Sequence, residues 1–125
     1  YKETGAVITG NQIAEDKTRI DFSLENFDRE QIMGFEEKAN RLISEARPVR
    51  FIFISREEAL RDPELVRLAK GMPEGSELRV VDIEGFDKQL CGGTHLRNIS
   101  EMGRIRITKL ENKGKSNRRV YFCLE

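Results

Sequence analysis

The chain has 125 residues, of which 38% are hydrophobic and 35% charged, and its 22 basic and 22 acidic residues give a formal net charge of zero. This length supports one domain with a hydrophobic core and is too short for two. The balanced charge provides no global field for nucleic acid, and the longest apolar run, residues 51–54, is too short to span a bilayer. The short apolar run leads us to expect no membrane association. Two cysteines in different settings do not form a disulfide framework, so we expect a reducing, cytoplasmic location.

Strand patterns open the chain. Residues 6–8, followed by Thr9-Gly10-Asn11, are typical of a strand that runs into a turn. Residues 18–24 alternate apolar and polar side chains, which is typical of a half-buried strand. Together these segments predict an antiparallel hairpin.

Helical patterns follow. Asp28 is a plausible N-cap, and apolar residues recur behind it at helical spacing, which predicts an amphipathic helix over 29–46 that ends before Pro48. Residues 49–54 are β-branched or aromatic and predict a strand. Ser55 and Glu58 form a capping-box pattern that opens a short helix to about residue 60. Pro63 then restarts a helix through residue 70, which Gly71 ends.

Three more strands are predicted, over residues 78–84, 104–110 and 118–124, with a turn over 112–117 between the last two. The chain contains no internal repeat and no linker. We therefore expect one α+β domain over residues 1–125, a mostly antiparallel sheet with two or three helices packed on it.

The segment Cys91-Gly92-Gly93-Thr94-His95 contains the only histidine of the chain and one of its cysteines. Thiolate and imidazole are the ligands that zinc favours. The paired glycines disfavour a helix and favour a tight turn with positive φ and bare backbone N–H groups. Two other interpretations remain open: an ordinary buried cysteine and a hydrogen-bonded histidine, or a Cys–His nucleophile pair for which the sequence assigns no orienting Asn or Asp.

Positive charge is concentrated toward the end of the chain. Between residues 97 and 119, only Glu101 and Glu111 oppose eight basic residues. Such a run is compatible with an ordinary solvated surface and also with contacts to nucleic acid phosphates. The basic residues are Arg97, Arg104, Arg106, Lys109, Lys113, Lys115, Arg118 and Arg119.

The sequence resembles a known family over nearly the whole chain. The most specific segment is Asp82-Ile83-Glu84-Gly85-Phe86-Asp87, followed by the Cys91–His95 segment. Thr9-Gly10-Asn11-Gln12, Arg19-Ile20-Asp21-Phe22 and Glu101-Met102-Gly103-Arg104-Ile105 extend the similarity. On these residues the chain resembles the editing domain of alanyl-tRNA synthetase and the free-standing AlaX proteins, whose fold the editing domain of threonyl-tRNA synthetase shares.

The resemblance implies a zinc-dependent hydrolase that removes serine or glycine from tRNA charged by alanyl-tRNA synthetase. In this family one zinc ion is held by a His-x-x-x-His pair on an N-terminal helix and by a Cys-x-x-x-His pair. Cys91 and His95 match the second pair. The first pair is absent, so we expect it upstream of Tyr1, in a longer protein of which this chain is an excerpt.

The resemblance also implies residue roles. Cys91 and His95 would hold the metal, with the backbone of Gly92 and Gly93 beside the reaction centre. Thr9 would recognise the serine hydroxyl. Gln12 and Thr94 are further candidates for substrate binding. With tRNA as the expected substrate, the basic run offers Arg104, Arg106 and Arg118 as candidates for binding its phosphates. The alternatives are a non-catalytic tRNA-binding module of the same fold and a cysteine-dependent hydrolase.

Overall fold

The computed structural model describes residues 1–26, 28–66 and 72–125. These residues form an α+β fold with two antiparallel sheets and few helices, which confirms the predicted class. They group into two compact units, Tyr1–Ser44 with Gly103–Glu125 and Glu45–Met102. Among the described residues, no helix combines the length and apolar composition that crossing a membrane requires.

The unit made of Tyr1–Ser44 and Gly103–Glu125 contains a four-stranded antiparallel sheet with the order β1-β2-β7-β6. Helix α1, Arg29–Ser44, begins after Asp28, whose side-chain Oδ1 accepts a hydrogen bond from the Glu30 N–H at 2.9 Å. The strands are β1 Ile8–Gln12, β2 Thr18–Ser23, β6 Ile105–Asn112 and β7 Asn117–Leu124.

Helix α1 protects the outer edge of β6. The Asn40 side chain accepts from the Ile105 N–H and donates to the Ile105 carbonyl, both at 2.8 Å. Glu36 accepts from the Ile107 N–H at 2.6 Å. Unpaired backbone groups at a sheet edge invite pairing with other chains, so these side chains stabilise β6 as a closed edge.

The unit Glu45–Met102 contains a three-stranded antiparallel sheet with the order β3-β4-β5. One face of this sheet packs with helix α2 in a core formed by Ala59, Leu65, Leu78, Val80 and Leu90. Ser55 and Glu58 form the predicted capping box at the start of α2. The elements are β3 Val49–Ser55, α2 Arg56–Leu60, β4 Glu77–Ile83, β5 Asp87–Leu90 and a 3₁₀ helix at Ile99–Met102.

Three local predictions differ from the structure. Thr9-Gly10-Asn11 lies within β1 and not in a turn, because these residues pair with β2. Strand β5 was not predicted, since Asp87, Lys88 and Gln89 give it little apolar character, and it forms through pairing with β4. Residues 63–66 form hydrogen-bonded turns where a helix over 62–70 was predicted, and residues 67–71 lie outside the described residues.

Candidate functional site

The Cys91–His95 segment follows directly on β5. The Cys91 N–H donates to the Arg79 carbonyl at 3.1 Å, so the segment leaves the sheet from a fixed position beside β4. Gly92, Gly93 and Thr94 are exposed, whereas Cys91 and His95 are half-buried. The two side chains that carry chemistry are therefore sheltered, while the backbone between them faces solvent.

The thiol and the imidazole converge beside Gly93. A Cβ atom built on Gly93 would lie 3.6 Å from Cys91 Sγ and 3.9 Å from His95 Cε1. His95 Nδ1 lies 3.0 Å from the Gly93 carbonyl oxygen, where a neutral ring donates its proton. In a neutral ring this hydrogen bond places the proton on Nδ1, and Nε2 then has a lone pair that can bind a metal ion or accept a proton.

Arg79 on β4 holds the segment in place. Its Nε donates to the Cys91 carbonyl at 2.9 Å, and a terminal nitrogen donates to the Gly93 carbonyl. The guanidinium carbon also lies 5.1 Å from the centre of the Phe51 ring. No sequence pattern singled out this residue. Its only signal is a single charge inside the otherwise apolar run Leu78 to Val81 of β4.

The prediction of a positive-φ turn at the paired glycines is wrong. Gly85, in the β4–β5 turn, has a φ of 66°, but neither Gly92 nor Gly93 adopts a left-handed conformation. Arg79 fixes the bend by binding two carbonyls of the segment. What Gly93 supplies is the absence of a side chain next to the thiol and the imidazole.

Cys91 and His95 fit half of a zinc site by their chemistry. Zinc usually has four ligands in structural sites and three protein ligands in catalytic sites. Within residues 1–26, 28–66 and 72–125, no three His, Cys, Asp or Glu side chains are grouped so that they could hold a metal ion. The described residues thus offer a two-donor set. Both cysteines are free, as the sequence predicted, and no hydrogen bond joins Cys91 Sγ to His95 in the described part of the chain.

The other predicted substrate-binding residues have defined surroundings. Thr9, on β1, donates its hydroxyl proton to Asn117 Oδ1 at 2.8 Å and keeps its oxygen lone pairs as acceptors. Gln12, on the same strand, is exposed and accepts a hydrogen bond from Arg19 Nε at 2.9 Å. Both belong to the unit of Tyr1–Ser44 and Gly103–Glu125. Thr94 is exposed within the Cys91–His95 segment.

The three arginines predicted to bind tRNA differ in accessibility. Arg104 is exposed and has no ion-pair partner among the described residues. Arg106 is exposed and pairs with Glu125 at 2.8 Å, which raises the pKa of the Arg106 guanidinium. Arg118 is only 8% exposed, and its terminal nitrogens donate to the carbonyls of Gly114, Asn117 and Glu25. Burial and these contacts indicate that the Arg118 side chain stabilises the turn between β6 and β7, and they disfavour the predicted contact with tRNA.

Acidic partners neutralise much of the remaining basic run. Glu111 pairs with Lys109 and, at 3.3 Å, with Lys113. The Lys109 ammonium and the Tyr121 hydroxyl bond to this carboxylate and lower the pKa of Glu111 to about 2. The local excess of positive charge on β6 and β7 is therefore smaller than the sequence suggests.

Asp21 and Arg119 form a further pair, on β2 and β7. Arg119 donates two hydrogen bonds to the Asp21 carboxylate, at 2.6 and 2.8 Å, and these bonds hold the pKa of Asp21 below its ordinary value. A Cβ on Gly10 would lie 3.2 Å from Asp21 Oδ2, so glycine at position 10 leaves room for this carboxylate beside β1.

Comparison with known proteins places these features in a family. Residues 78–121 match the family described as the threonyl and alanyl tRNA synthetase second additional domain. The chain is similar to the alanyl-tRNA editing protein AlaX-M of Methanosarcina acetivorans, with 54% identity over 125 residues that cover 98% of this chain and 51% of the relative. AlaX-M of Saccharolobus solfataricus is 37% identical over 126 aligned positions, covering 100% of this chain and 52% of that protein.

The chain thus spans about half the length of the AlaX-M proteins that it matches. An alanine–tRNA ligase from Methanococcus aeolicus is 38% identical over 104 residues, which cover 82% of this chain and 11% of the ligase. Over nearly its whole length, the chain therefore belongs to the same family as the AlaX-M alanyl-tRNA editing proteins and the matching segment of alanine–tRNA ligases.

Proposed function

We propose that the protein is a deacylase that hydrolyses the ester bond between a wrong amino acid, serine or glycine, and tRNA charged by alanyl-tRNA synthetase. The relatives named as alanyl-tRNA editing proteins support this reaction class. The observation that carries the proposal is the convergence of Cys91 Sγ and the His95 ring beside the exposed backbone of Gly93. A cytoplasmic location, where tRNA is charged, is part of the proposal.

We further propose that Cys91 and His95 supply two ligands of one zinc ion, the others coming from outside the described residues. The hydrogen bond from His95 Nδ1 to the Gly93 carbonyl favours this, because it aims the lone pair of Nε2 away from the backbone. When bound, zinc acts as a Lewis acid that polarises a carbonyl or a water.

The backbone at Gly92 and Gly93 gives the ester room to approach. In hydrolysis, water adds to the carbonyl carbon, the bond to the ribose oxygen breaks, and that oxygen leaves with a proton as the free tRNA hydroxyl. Negative charge develops on the carbonyl oxygen in between. The N–H groups of Gly92 and Gly93, exposed and unshielded by side chains, are the donors that we assign to this charge.

Thr9 is the residue that we assign to the serine hydroxyl. Its own proton is donated to Asn117, so its oxygen is oriented as an acceptor for a substrate hydroxyl. A site that hydrogen-bonds the serine hydroxyl disfavours alanine, because alanine would leave the Thr9 oxygen without a hydrogen-bond donor. We therefore expect Thr9→Val to lower the ratio of seryl- to alanyl-tRNA hydrolysis, and an unchanged ratio would remove this role.

For the tRNA itself, Arg104 and Arg106 are the phosphate contacts that we retain, because both are exposed. Lysine and arginine bind phosphates without reading sequence, and each neutralised phosphate steepens the salt dependence of binding. The double variant Arg104→Gln with Arg106→Gln should weaken tRNA binding and flatten its salt dependence. An unchanged salt dependence of tRNA binding would show that neither residue contacts the phosphates.

The decisive experiment measures hydrolysis of seryl-, glycyl- and alanyl-tRNA by the protein, with metal analysis and with chelator. Loss of seryl-tRNA hydrolysis with chelator and in His95→Ala would support the zinc-dependent deacylase. Hydrolysis that resists chelator but is lost in Cys91→Ala would identify a cysteine-dependent hydrolase. Binding of tRNA without hydrolysis of any of the three substrates would identify a non-catalytic module and overturn the proposal.

A further inference from the structure

Two aromatic rings stand exposed on β3, the edge strand of the three-stranded sheet. Phe51 is 40% exposed and Phe53 is 62% exposed. Phe51 and Phe53 lie at alternate positions of the strand and therefore expose their rings on one face, as an apolar patch of the kind that contacts ligands or other molecules. We call Phe51, Phe53 and the neighbouring Arg79 the aromatic face.

The aromatic face lies on the same side of the sheet as Cys91. Phe53 pairs with Arg79 in the antiparallel register, and the Arg79 carbonyl accepts from the Cys91 N–H at 3.1 Å. Directly paired residues point to the same face of a sheet. The opposite face carries the core residues Leu78, Val80 and Leu90, which pack with Ala59 of α2. The rings thus point away from the core at α2 and share their face with the proposed reaction centre and with the buried Val81, which pairs with Phe51.

Contacts connect the rings to the Cys91–His95 segment. The Phe51 ring centre is 6.1 Å from the centre of the His95 ring, with the two planes tilted by 59°. The Arg79 guanidinium lies over the Phe51 ring at 5.1 Å while it binds the carbonyls of Cys91 and Gly93. This arrangement fixes an aromatic ring and a cationic plane at the border of the segment.

We propose that the aromatic face is a stacking platform for an unpaired nucleobase at the single-stranded end of an RNA. The inference rests on the proposed function, which brings the 3′ end of tRNA to Cys91 and His95. Nucleobases stack on aromatic rings and on arginine planes without regard to sequence. A wholly apolar protein partner would instead bury Arg79 Nη1 and His95 Nε2, for which no described residue provides a hydrogen bond, and burying them unpaired is costly. The chemistry of the face therefore favours a base.

A binding experiment with uncharged RNA tests the platform independently of hydrolysis. An RNA stem with an unpaired 3′ end carries the fluorescent base 2-aminopurine as its last nucleotide, and stacking quenches its emission. The chain contains no tryptophan that would interfere. We expect quenching with the wild-type protein, and at least about tenfold weaker binding with reduced quenching in the double variant Phe51→Leu with Phe53→Leu.

Ile52→Leu is the matched control, because Ile52 lies on the same strand, is 42% exposed and points to the opposite face. It should bind within about twofold of wild type. The single variant Phe53→Leu, at the more exposed ring, replaces the double variant if the latter does not fold.

Several results would overturn the platform. One is no quenching by the wild-type protein, and another is equal quenching by the phenylalanine variants. A third is unchanged RNA binding together with an altered oligomeric state in those variants, which would show that the face contacts a second copy or another protein. If quenching depends on Phe51 and Phe53 while no deacylation is found, the platform stands and the proposed reaction fails. If deacylation is found without quenching that depends on Phe51 and Phe53, the proposed reaction stands and the platform fails.

Discussion

Replacing Arg79 with methionine is expected to release the Cys91–His95 segment from β4 while leaving the sheet intact. Methionine keeps an unbranched chain of comparable reach along β4 but removes the donors to the Cys91 and Gly93 carbonyls. It also removes the cation above the Phe51 ring. The core on the other face, around Leu78 and Val80, is untouched by the change.

The magnitude follows from the contacts that are lost. A hydrogen bond from a charged donor contributes about 1.5–3 kcal/mol when it is shielded, and less where water can replace it. Arg79 is half-buried, so we take about 1 kcal/mol for each of the two bonds. The exposed cation–π contact adds about 0.5–1 kcal/mol. The sum, about 2.5–3 kcal/mol, corresponds to a change of about 70- to 160-fold in the population of the open segment.

Hydrogen exchange followed by mass spectrometry measures this population. Peptides that cover residues 91–95 should lose protection by that factor in Arg79→Met, while peptides from the core of β4 change little. Arg79→Lys serves as the matched variant, because it keeps the charge but cannot reach both carbonyls with one planar group. It should recover part of the protection.

This role of Arg79 would be refuted if protection of residues 91–95 changed by less than about threefold in Arg79→Met. It would also be refuted if urea unfolding showed that the whole unit lost as much stability as the segment. In the first case the segment keeps its conformation without Arg79. In the second, Arg79 stabilises the sheet and has no particular role in the segment.

Substitutions at the paired glycines, at the Asp21–Arg119 pair and at the start of α2 test other parts of the structure. Gly93→Ala puts a methyl group 3.6 Å from Cys91 Sγ and 3.9 Å from His95 Cε1, in contact with both proposed ligands, and should weaken zinc binding in a competition titration. Gly92→Ala, with nothing within 4 Å of its Cβ, should not, and equal affinities would contradict the proposed site. Asp21→Asn should cost about 2 kcal/mol in urea unfolding at pH 7. Arg119 lowers the pKa of Asp21 in the folded state, so this contribution to stability is present above the pKa of an unfolded aspartate, about 4, and is lost as pH falls toward the folded pKa. The free energies of unfolding of wild type and variant should therefore converge in acid. A difference that stays constant with pH would exclude the Asp21–Arg119 pair as its source. Ser55→Ala removes the N-cap of α2 and should cost about 1 kcal/mol, and an unchanged unfolding midpoint would show that the cap is dispensable.

Local sequence patterns predicted most of the secondary structure. The alternation in residues 18–24 gave β2, and the helical spacing behind Asp28 gave α1 within two residues at its end. The capping box at Ser55 and Glu58 gave the start of α2. These features depend on residues that are close in sequence, so the local sequence pattern is enough to predict them.

Elements that depend on distant partners were misjudged. Thr9-Gly10-Asn11 has the composition of a turn and is a strand only because β2 pairs with it. Strand β5 lacks an apolar pattern and forms by pairing with β4. Arg118 was predicted to bind tRNA because it lies in the basic run, yet its position on β7 buries it among backbone carbonyls.

The sequence by itself determined the α+β class, the family and the presence of a cysteine and a histidine separated by three residues in one segment. Only the tertiary structure decided how that segment is held, because the bond from Arg79 to the Gly93 carbonyl joins residues 14 positions apart. It also decided how much of the basic run is neutralised, since the Asp21–Arg119 pair joins residues 98 positions apart. Side chains at such separations meet only after the strands have paired, and no local pattern records which of them will.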